Sequence, residues 1–156
     1  PFVEKVRTMD LSGKFFEREG SQVSYGYRSC RLTKEIFTEA SFIFPKMPHA
    51  DVQKKLDEYR EHRLRTQDLR HPSAGCMFKN PEIPGSSSGK LIEDAGLKGL
   101  SVGRAQVSRV HANFLVNLGG ATSRDVRGLI EKVKAAVKER SGIELETEVK
   151  ILGESS

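Results

Sequence analysis

Tryptophan is absent from the 156-residue chain, and cysteine occurs only twice. Cys30 and Cys76 are too few for the disulfide framework of a small secreted domain, which predicts a reducing, cytoplasmic location. No stretch approaches the roughly 18 consecutive apolar residues that a membrane span requires, and no basic and then apolar signal segment opens the chain. These shortages argue against a transmembrane protein and against a disulfide-rich secreted domain.

The residues that are present indicate a folded protein with one ordinary domain or two small ones. A chain of this length buries about two-thirds of its unfolded surface without a metal or disulfide. The net charge of +5 suits an anionic ligand such as a nucleotide or phosphate. Nucleic acid is not predicted, because the most charged stretch, residues 51–71, mixes six Lys or Arg with five Asp or Glu.

The first half predicts strands followed by one long helix. A strand, a turn at Asp10–Gly13 and a second strand open the chain, and Ala40–Phe44 is interpreted as a buried strand ended by prolines. Asp51 is the expected N-cap of a helix that ends near Arg65. Its predicted apolar side consists of Val52, Leu56 and Tyr59.

The second half predicts an α+β layer after a boundary near residue 67. Gly96 is expected to close a short helix over residues 89–95, and two strands follow at 105–108 and 113–118. Thr122 and Asp125 form a capping box for a helix that Gly142 ends. Alternating apolar and polar residues predict a final strand over 143–151, so the order is strand, helix, strand, strand, helix, strand.

Common catalytic and metal motifs fail on spacing. The segment Gly85-Ser-Ser-Ser-Gly-Lys90 has three residues between its glycines where a phosphate-binding P-loop has four, and leucine follows the lysine. The four histidines are scattered, and the cysteines lack zinc-site spacing, so no metal is predicted. No Gly-x-Ser-x-Gly elbow of a hydrolase is present.

Three residues allow both a functional and a structural interpretation when taken alone. Arg28 is able to clamp a carboxylate or phosphate, or to serve as an ordinary surface arginine. Cys76 follows Gly75, which permits close backbone approach, yet a buried and inert cysteine is the simpler interpretation. Glu148 lies on the polar side of the predicted last strand, where a solvated side chain is the simpler interpretation.

Five segments, taken together, form one pattern. In chain order they are Tyr27-Arg-Ser29, Ser73-Ala-Gly-Cys-Met-Phe-Lys-Asn-Pro81, Gly89-Lys-Leu-Ile-Glu-Asp-Ala-Gly-Leu-Lys-Gly99, Val110-His-Ala-Asn-Phe-Leu-Val-Asn117 and Leu145-Glu-Thr-Glu-Val-Lys-Ile-Leu-Gly153. They resemble the UDP-N-acetylenolpyruvoylglucosamine reductase family, whose signature S-A-G-S-x-F-K-N-P has a serine where this sequence has Cys76. The resemblance is dense over residues 70–153 and sparser before them.

The resemblance implies that this chain is the C-terminal half of such an enzyme. Residues 1–66 are expected to be the tail of an FAD-binding domain of the vanillyl-alcohol-oxidase type. Residues 67–156 are expected to form the substrate-binding α+β domain. A first residue that is not methionine fits a fragment or a split chain, with an N-terminal FAD-binding half as partner.

The implied reaction belongs to peptidoglycan precursor synthesis, which supports cell wall biogenesis, cell shape and cell division. NADPH reduces FAD, hydride passes to C3 of UDP-N-acetylglucosamine enolpyruvate, and C2 takes a proton to give UDP-N-acetylmuramate. The alternative is a non-catalytic UDP-sugar-binding module, inactive without the FAD-binding half.

The resemblance also assigns roles to six residues. Arg28 and Glu148, the latter in its acid form, are expected to stabilise negative charge that develops on the enolpyruvyl group. Cys76 is the expected proton donor, since a thiol with a pKa of about 8.5 is mostly protonated at neutral pH and is a stronger acid than an alcohol. The expected substrate-binding residues are Lys79, Asn80 and His111.

Overall fold

The protein is described by a computed structural model in which residues 2–153 are placed. The chain divides into two compact units, Pro1–Val52 and Gln53–Ser156. Within residues 2–153 no helix is both long and apolar enough to cross a membrane. In the same range, no group of three or more His, Cys, Asp or Glu side chains is arranged to hold a metal ion. The predicted boundary near residue 67, with its two domain assignments, stays a prediction.

The first unit contains a three-stranded antiparallel sheet. The five strands that the structure describes in the unit are β1 (Val3–Asp10), β2 (Phe15–Glu19), β3 (Tyr25–Gly26), β4 (Ser29–Cys30) and β5 (Glu35–Phe42). The sheet order is β2-β1-β5, and β3 pairs with β4 in a separate hairpin. The predicted opening is confirmed. The Asp10 carboxylate shapes its turn by accepting the backbone N–H groups of Ser12 and Lys14 at 2.9 and 3.0 Å.

Two predictions in and after this unit are wrong in part. The strand expected to be buried at 40–44 is β5, which begins earlier and leaves Phe42 53% exposed, because pairing with β1 satisfies its backbone without covering its faces. The predicted helix is present as α1 (His49–Thr66), but it begins before Asp51, which lies in its first turn and not at its N-cap. No residue of α1 is buried, so the expected apolar side is not a core face.

The second unit packs helices on a four-stranded sheet, which confirms the α+β class. After α1 its elements are β6 (Ser73–Cys76), α2 (Ser88–Asp94), β7 (Ser101–Val102), β8 (Ala105–Val107), β9 (Phe114–Asn117) and α3 (Ser123–Ser141). The antiparallel sheet has the order β6-β9-β8-β7. The largest fully buried side chains of its core include Phe78, Ile92, Val107, Leu129, Val133 and Val137.

Helix α3 has both of its predicted ends. The Thr122 hydroxyl accepts the Asp125 backbone N–H at 3.1 Å, and the Asp125 carboxylate accepts the Thr122 N–H at 2.9 Å. Gly142 ends the helix with φ 72°, a left-handed conformation that glycine adopts without a steric penalty. The predicted short helix is also present as α2, which begins one residue before the predicted position.

The predicted final strand is wrong. Within the described part of the chain, residues 143–151 form only one bridge, between Phe78 and Thr147. In this unit sequence reasoning missed strand β7. Two backbone bonds flank the bridge, from the N–H of Lys79 to the Glu146 carbonyl and from the N–H of Glu148 to the Met77 carbonyl. The alternating pattern therefore places Leu145 in the core, but the backbone pairs over too short a length to form a strand.

Candidate active-site cleft

A cleft of about 370 Å³ lies where β6, α2 and the turn before β9 meet. Its volume is within the lower part of the range of about 300–1,000 Å³ that is usual for small-molecule sites. Its lining includes Cys76, Asn80, Ser87, Lys90, His111 and Asn113. Polar and apolar groups both contribute, as expected of a site for a polar organic molecule.

Cys76 ends strand β6, and its side chain is half-buried at the cleft. It pairs with Phe114 of β9 directly after a register shift. Gly75 lies at that shift with φ 81°, where a side chain would strain the backbone. Among the described residues no atom lies within 4 Å of the Cβ position at Gly75, so the space beside its backbone is open. What this glycine supplies is the left-handed turn that directs the chain into Cys76.

Lys79 and Asn80 bring the segment after β6 to the start of α2. The Asn80 side-chain oxygen accepts the backbone N–H of Ser88 at 3.1 Å. The Ser88 hydroxyl in turn donates to the Lys79 carbonyl. The Lys79 ammonium forms an ion pair with Glu146, which leaves it about one-third exposed. Both predicted binding residues therefore also have structural contacts.

His111, in the turn before β9, also lines the cleft. Its Nδ1 accepts the backbone N–H of Asn113 at 3.2 Å, and its ring lies 4.6 Å from the Phe114 ring, centroid to centroid. Burial, assisted by the positive charge of Lys98, lowers the pKa of His111 below its ordinary value of 6.5. The imidazole is therefore neutral at physiological pH, and the bond to Nδ1 leaves its proton on Nε2.

The buried carboxylate of Asp68 supports the turn that carries His111 through hydrogen bonds with Ser108. Ser108, fully buried, donates to Asp68 at 3.0 Å and accepts the backbone N–H groups of Val110 and His111 at 3.1 and 3.3 Å. Burial opposes ionisation of Asp68, but bonds from Ser108, the Arg70 N–H and His71 outweigh it and lower the pKa of Asp68.

The charged groups at the rim of the cleft are paired. The Lys90 ammonium lies 2.5 Å from an Asp94 carboxylate oxygen, which raises the pKa of Lys90. Glu93 pairs with Lys98 at 2.7 Å. A ligand at this rim would therefore meet compensated charges, and its orientation would depend on hydrogen bonds.

Arg28 lies in the first unit, at the tip of the β3–β4 hairpin. Its φ of 53° is unusual for a residue that carries a side chain. Its guanidinium lies 5.8 Å from the centre of the Tyr27 ring. A non-glycine residue in this conformation costs of order 1 kcal/mol, which is a reason to ask whether its side chain has a function.

Similarity to known proteins decides the family. A family model described as UDP-N-acetylenolpyruvoylglucosamine reductase, C-terminal domain, matches residues 67–152. The curated relatives include a reductase of that name from Geobacter sulfurreducens, 46% identical over 97% of this chain and 50% of the relative. A second, from Caldanaerobacter subterraneus, is 41% identical over the same shares. The chain belongs to the UDP-N-acetylenolpyruvoylglucosamine reductase family.

A solved structure of the family agrees with this assignment. The reductase MurB from Thermus caldophilus matches 94% of this chain and 52% of its own length, with a TM-score of 0.79 and 37% identity. This chain therefore spans about half the length of the reductases it matches. Both units contribute to the similarity, because residues 67–152 alone are much less than 94% of the chain.

The fold brings together some of the residues predicted from the MurB signature. Cys76, Asn80 and His111 line one cleft. The backbone of Glu148 bonds to Met77, the residue after Cys76. Arg28 belongs to the other unit. The catalytic and binding roles of these residues remain predictions.

Asn113, Ser108 and Asp68 are the residues that sequence reasoning missed. The Asn113 side chain, 2% exposed, bonds to both backbone groups of Phe78. Asn113 stands in the reductase-like segment 110–117, so its position was visible in the sequence although its contact was not. Asp68 gave no signal, since its partner Ser108 is 40 residues away.

We predict that Asp68→Asn makes the protein less sensitive to acid. Because the pKa of Asp68 is lower in the folded protein than its ordinary value of 3.8, its ionised form stabilises the fold at neutral pH. This contribution is lost as the pH falls below about 3.8 and through the lowered pKa of the folded state. The variant should lose about 1 kcal/mol of unfolding free energy at pH 7. Its stability should then fall less steeply than that of the wild type in acid.

Urea unfolding from pH 7 to pH 3 measures this difference. Asp57→Asn, on exposed α1, is the control for removing a carboxylate from the surface. Parallel curves for wild type and Asp68→Asn would contradict the prediction.

Proposed function

We propose that this chain supplies the substrate-binding and protonating part of a UDP-N-acetylenolpyruvoylglucosamine reductase. The assembled enzyme would act in the cytoplasm and reduce UDP-N-acetylglucosamine enolpyruvate to UDP-N-acetylmuramate with NADPH and FAD. The observation that carries the proposal is the cleft in which Cys76 lies with Asn80 and His111. Family membership supports the same reaction class.

The reaction needs a hydride at C3 and a proton at C2 of the enolpyruvyl group. In the proposal the Cys76 thiol gives its proton to C2, and the resulting thiolate takes one back from solvent. The thiol is half-buried at a cleft of suitable volume, so a ligand and a proton both have access to it. Positioned general acids of this kind contribute about 10²- to 10⁴-fold to rates.

Hydrogen-bond donors around the thiol would orient the substrate. The neutral His111 ring has its proton on Nε2 and is able to donate to an oxygen of the nucleotide sugar. Asn80 lines the cleft with an amide group, and Lys79 carries a positive charge beside it. Arg28 and Glu148 are proposed to stabilise the enolpyruvyl carboxylate as charge develops.

One cleft of the first unit, lined by Lys5, Arg7, Glu17, Glu39 and Ser41 among others, has a volume of about 30 Å³ and is too small for a flavin. Small-molecule sites usually have about 300–1,000 Å³. We therefore propose that a complementary half, like the half of the relatives that this chain does not match, holds the FAD.

A complementation experiment tests the proposed function. The purified chain is mixed with FAD and with the unmatched half of the Geobacter sulfurreducens reductase, and NADPH oxidation is followed with and without the enolpyruvyl substrate. Substrate-dependent oxidation in the mixture, and in neither half alone, is the expected result. The absorbance of flavin that stays with the chain after desalting is measured in parallel.

Binding by the chain itself separates the reductase from the alternative module. We expect calorimetry to detect the UDP-sugar, and His111→Ala to weaken binding about tenfold because one buried hydrogen bond is lost. His62→Ala, on exposed α1, is the control and should bind as the wild type does. Binding without complementation favours a non-catalytic module. If the chain neither binds the UDP-sugar nor restores activity in the mixture, both functions are contradicted.

A further inference from the structure

One buried residue, Asn113, links the two sides of the cleft through its side chain and its backbone. The Asn113 amide donates to the Phe78 carbonyl at 2.8 Å and accepts the Phe78 N–H at 3.0 Å. The Asn113 carbonyl accepts the Met77 N–H at 2.9 Å, and its own N–H donates to His111 Nδ1 at 3.2 Å. Four bonds from one residue therefore reach the segment after Cys76 and the ring of His111.

We propose that Asn113 is the positioning residue of the cleft, which fixes the backbone after Cys76 and orients the ring of His111. The functional meaning of that role rests on the proposed reductase function, whereas the contacts do not. Asn113 forms hydrogen bonds with Met77, Phe78 and His111 and acts through them on the cleft. It is therefore a positioning residue and not a catalytic one.

The chemistry of asparagine explains why this residue type is suited to the position. A primary amide carries a donor and an acceptor side by side, which matches the N–H and C=O groups of one residue on a neighbouring segment. Aspartate at neutral pH offers only acceptors, and alanine offers neither. Phe78 is 1% exposed, so water cannot easily replace a lost partner for its backbone groups.

The bond to His111 determines which ring nitrogen faces a ligand. Because Nδ1 accepts from the backbone, the neutral ring carries its proton on Nε2 and is a hydrogen-bond donor there. The matching ligand group is an oxygen acceptor, such as a carbonyl, hydroxyl or phosphate oxygen. A shift of the Asn113 backbone would release Nδ1 and permit the other tautomer.

The test uses Asn113→Ala, Asn113→Asp and the control Asn117→Ala in a Cys30→Ser background. Asn117 is matched because its side chain also makes two hydrogen bonds to backbone groups, accepting the N–H groups of Gly119 and Ala121 at 2.8 and 3.0 Å. Those bonds lie in the loop after β9. Iodoacetamide then reports the accessibility of Cys76, and ¹⁵N NMR of the imidazole reports the His111 tautomer.

We expect Asn113→Ala to raise the alkylation rate of Cys76 about fivefold or more, since the segment after it opens locally. The ¹⁵N shifts should show loss of the single Nε2–H tautomer. Asn113→Asp should change both readouts in the same direction, and Asn117→Ala should change neither. Unchanged readouts in both Asn113 variants, or equal changes in Asn117→Ala, would overturn the proposal.

Hydrogen exchange of the unmodified chain keeps the proposal testable if the Asn113 variants do not fold. The amides of Met77 and Phe78 should be protected as strongly as those of β9, and exchange at the rate of an open loop would overturn it. None of these measurements requires catalysis or UDP-sugar binding. If they succeed while complementation fails, the reductase function is wrong and the positioning role stands.

Discussion

Replacing Cys76 by alanine should lower kcat of the complemented reductase by about 10²- to 10⁴-fold, the range for loss of a positioned general acid. Cys76→Ser should keep substantial activity, because a hydroxyl at the same place also delivers a proton and is the usual residue in the family signature. Flavin reduction by NADPH should be unaffected in both variants, since the proton is needed only after it. Stopped-flow measurement of the two half-reactions separates these effects.

Cys30→Ser is the control for general effects of removing a thiol. Cys30 lies in β4 of the first unit and should tolerate the change with nearly unaltered kcat. Equal activity in wild type and Cys76→Ala would show that another group protonates C2. Alkylation should inactivate the wild type and spare Cys76→Ser, which gives a second and independent readout.

Replacing Arg28 by glycine should separate activity from stability. Loss of the guanidinium should lower kcat by about 10²- to 10³-fold, as removal of one charge-stabilising group does in other enzymes. The unfolding free energy should stay within about 1 kcal/mol of the wild type, because glycine relieves the positive φ while it gains freedom in the unfolded chain. Steady-state kinetics and urea unfolding on the same samples measure both quantities.

Arg31→Gly is the matched control for this substitution. Arg31 follows the same hairpin but is not among the residues with positive φ, so glycine relieves no strain there. We expect the control to keep its kcat and to lose roughly 0.5–1 kcal/mol of stability. If Arg28→Gly retained full activity, the role assigned to Arg28 would be wrong.

Sequence patterns predicted elements whose determinants are local. Thr122 and Asp125 cap α3 three residues apart, and Gly142 ends it, so the whole signal lies within the helix and its neighbours. The prediction of a final strand was wrong because a strand depends on a partner that is distant in the sequence. Alternation at 143–151 correctly indicated that Leu145 faces inward, but Ile151 is 46% exposed. A strand also requires a long partner, and within residues 2–153 only the segment around Phe78 pairs with this stretch.

The same distinction applies to the cleft. The signature segment brought Cys76 and Asn80 to attention through resemblance, and the fold places both at the cleft. Asn113 bonds to Phe78, 35 residues before it, and no spacing rule joins two such positions. The conformation of Arg28 was equally invisible, because a hairpin loop permits positive φ without requiring arginine.

The sheet of the first unit affects how this chain behaves at high concentration. Phe2, Phe42 and Phe44 form an aromatic cluster, with ring centroids 5.4 and 6.0 Å apart, and each is more than half exposed. Two of them lie at or just beyond the end of β5, which within residues 2–153 pairs along one edge only. An open strand edge beside apolar side chains is a template for adding a strand from another molecule.

The other outer strand, β2, is protected by charge, because Glu17, Arg18 and Glu19 follow one another along it. The two edges of the sheet are therefore unequal, and growth of aggregates from β5 would be directional. We expect this edge, which lies far in sequence from the cleft residues, to limit the solubility of the chain, so substitutions there should change solubility without changing ligand binding.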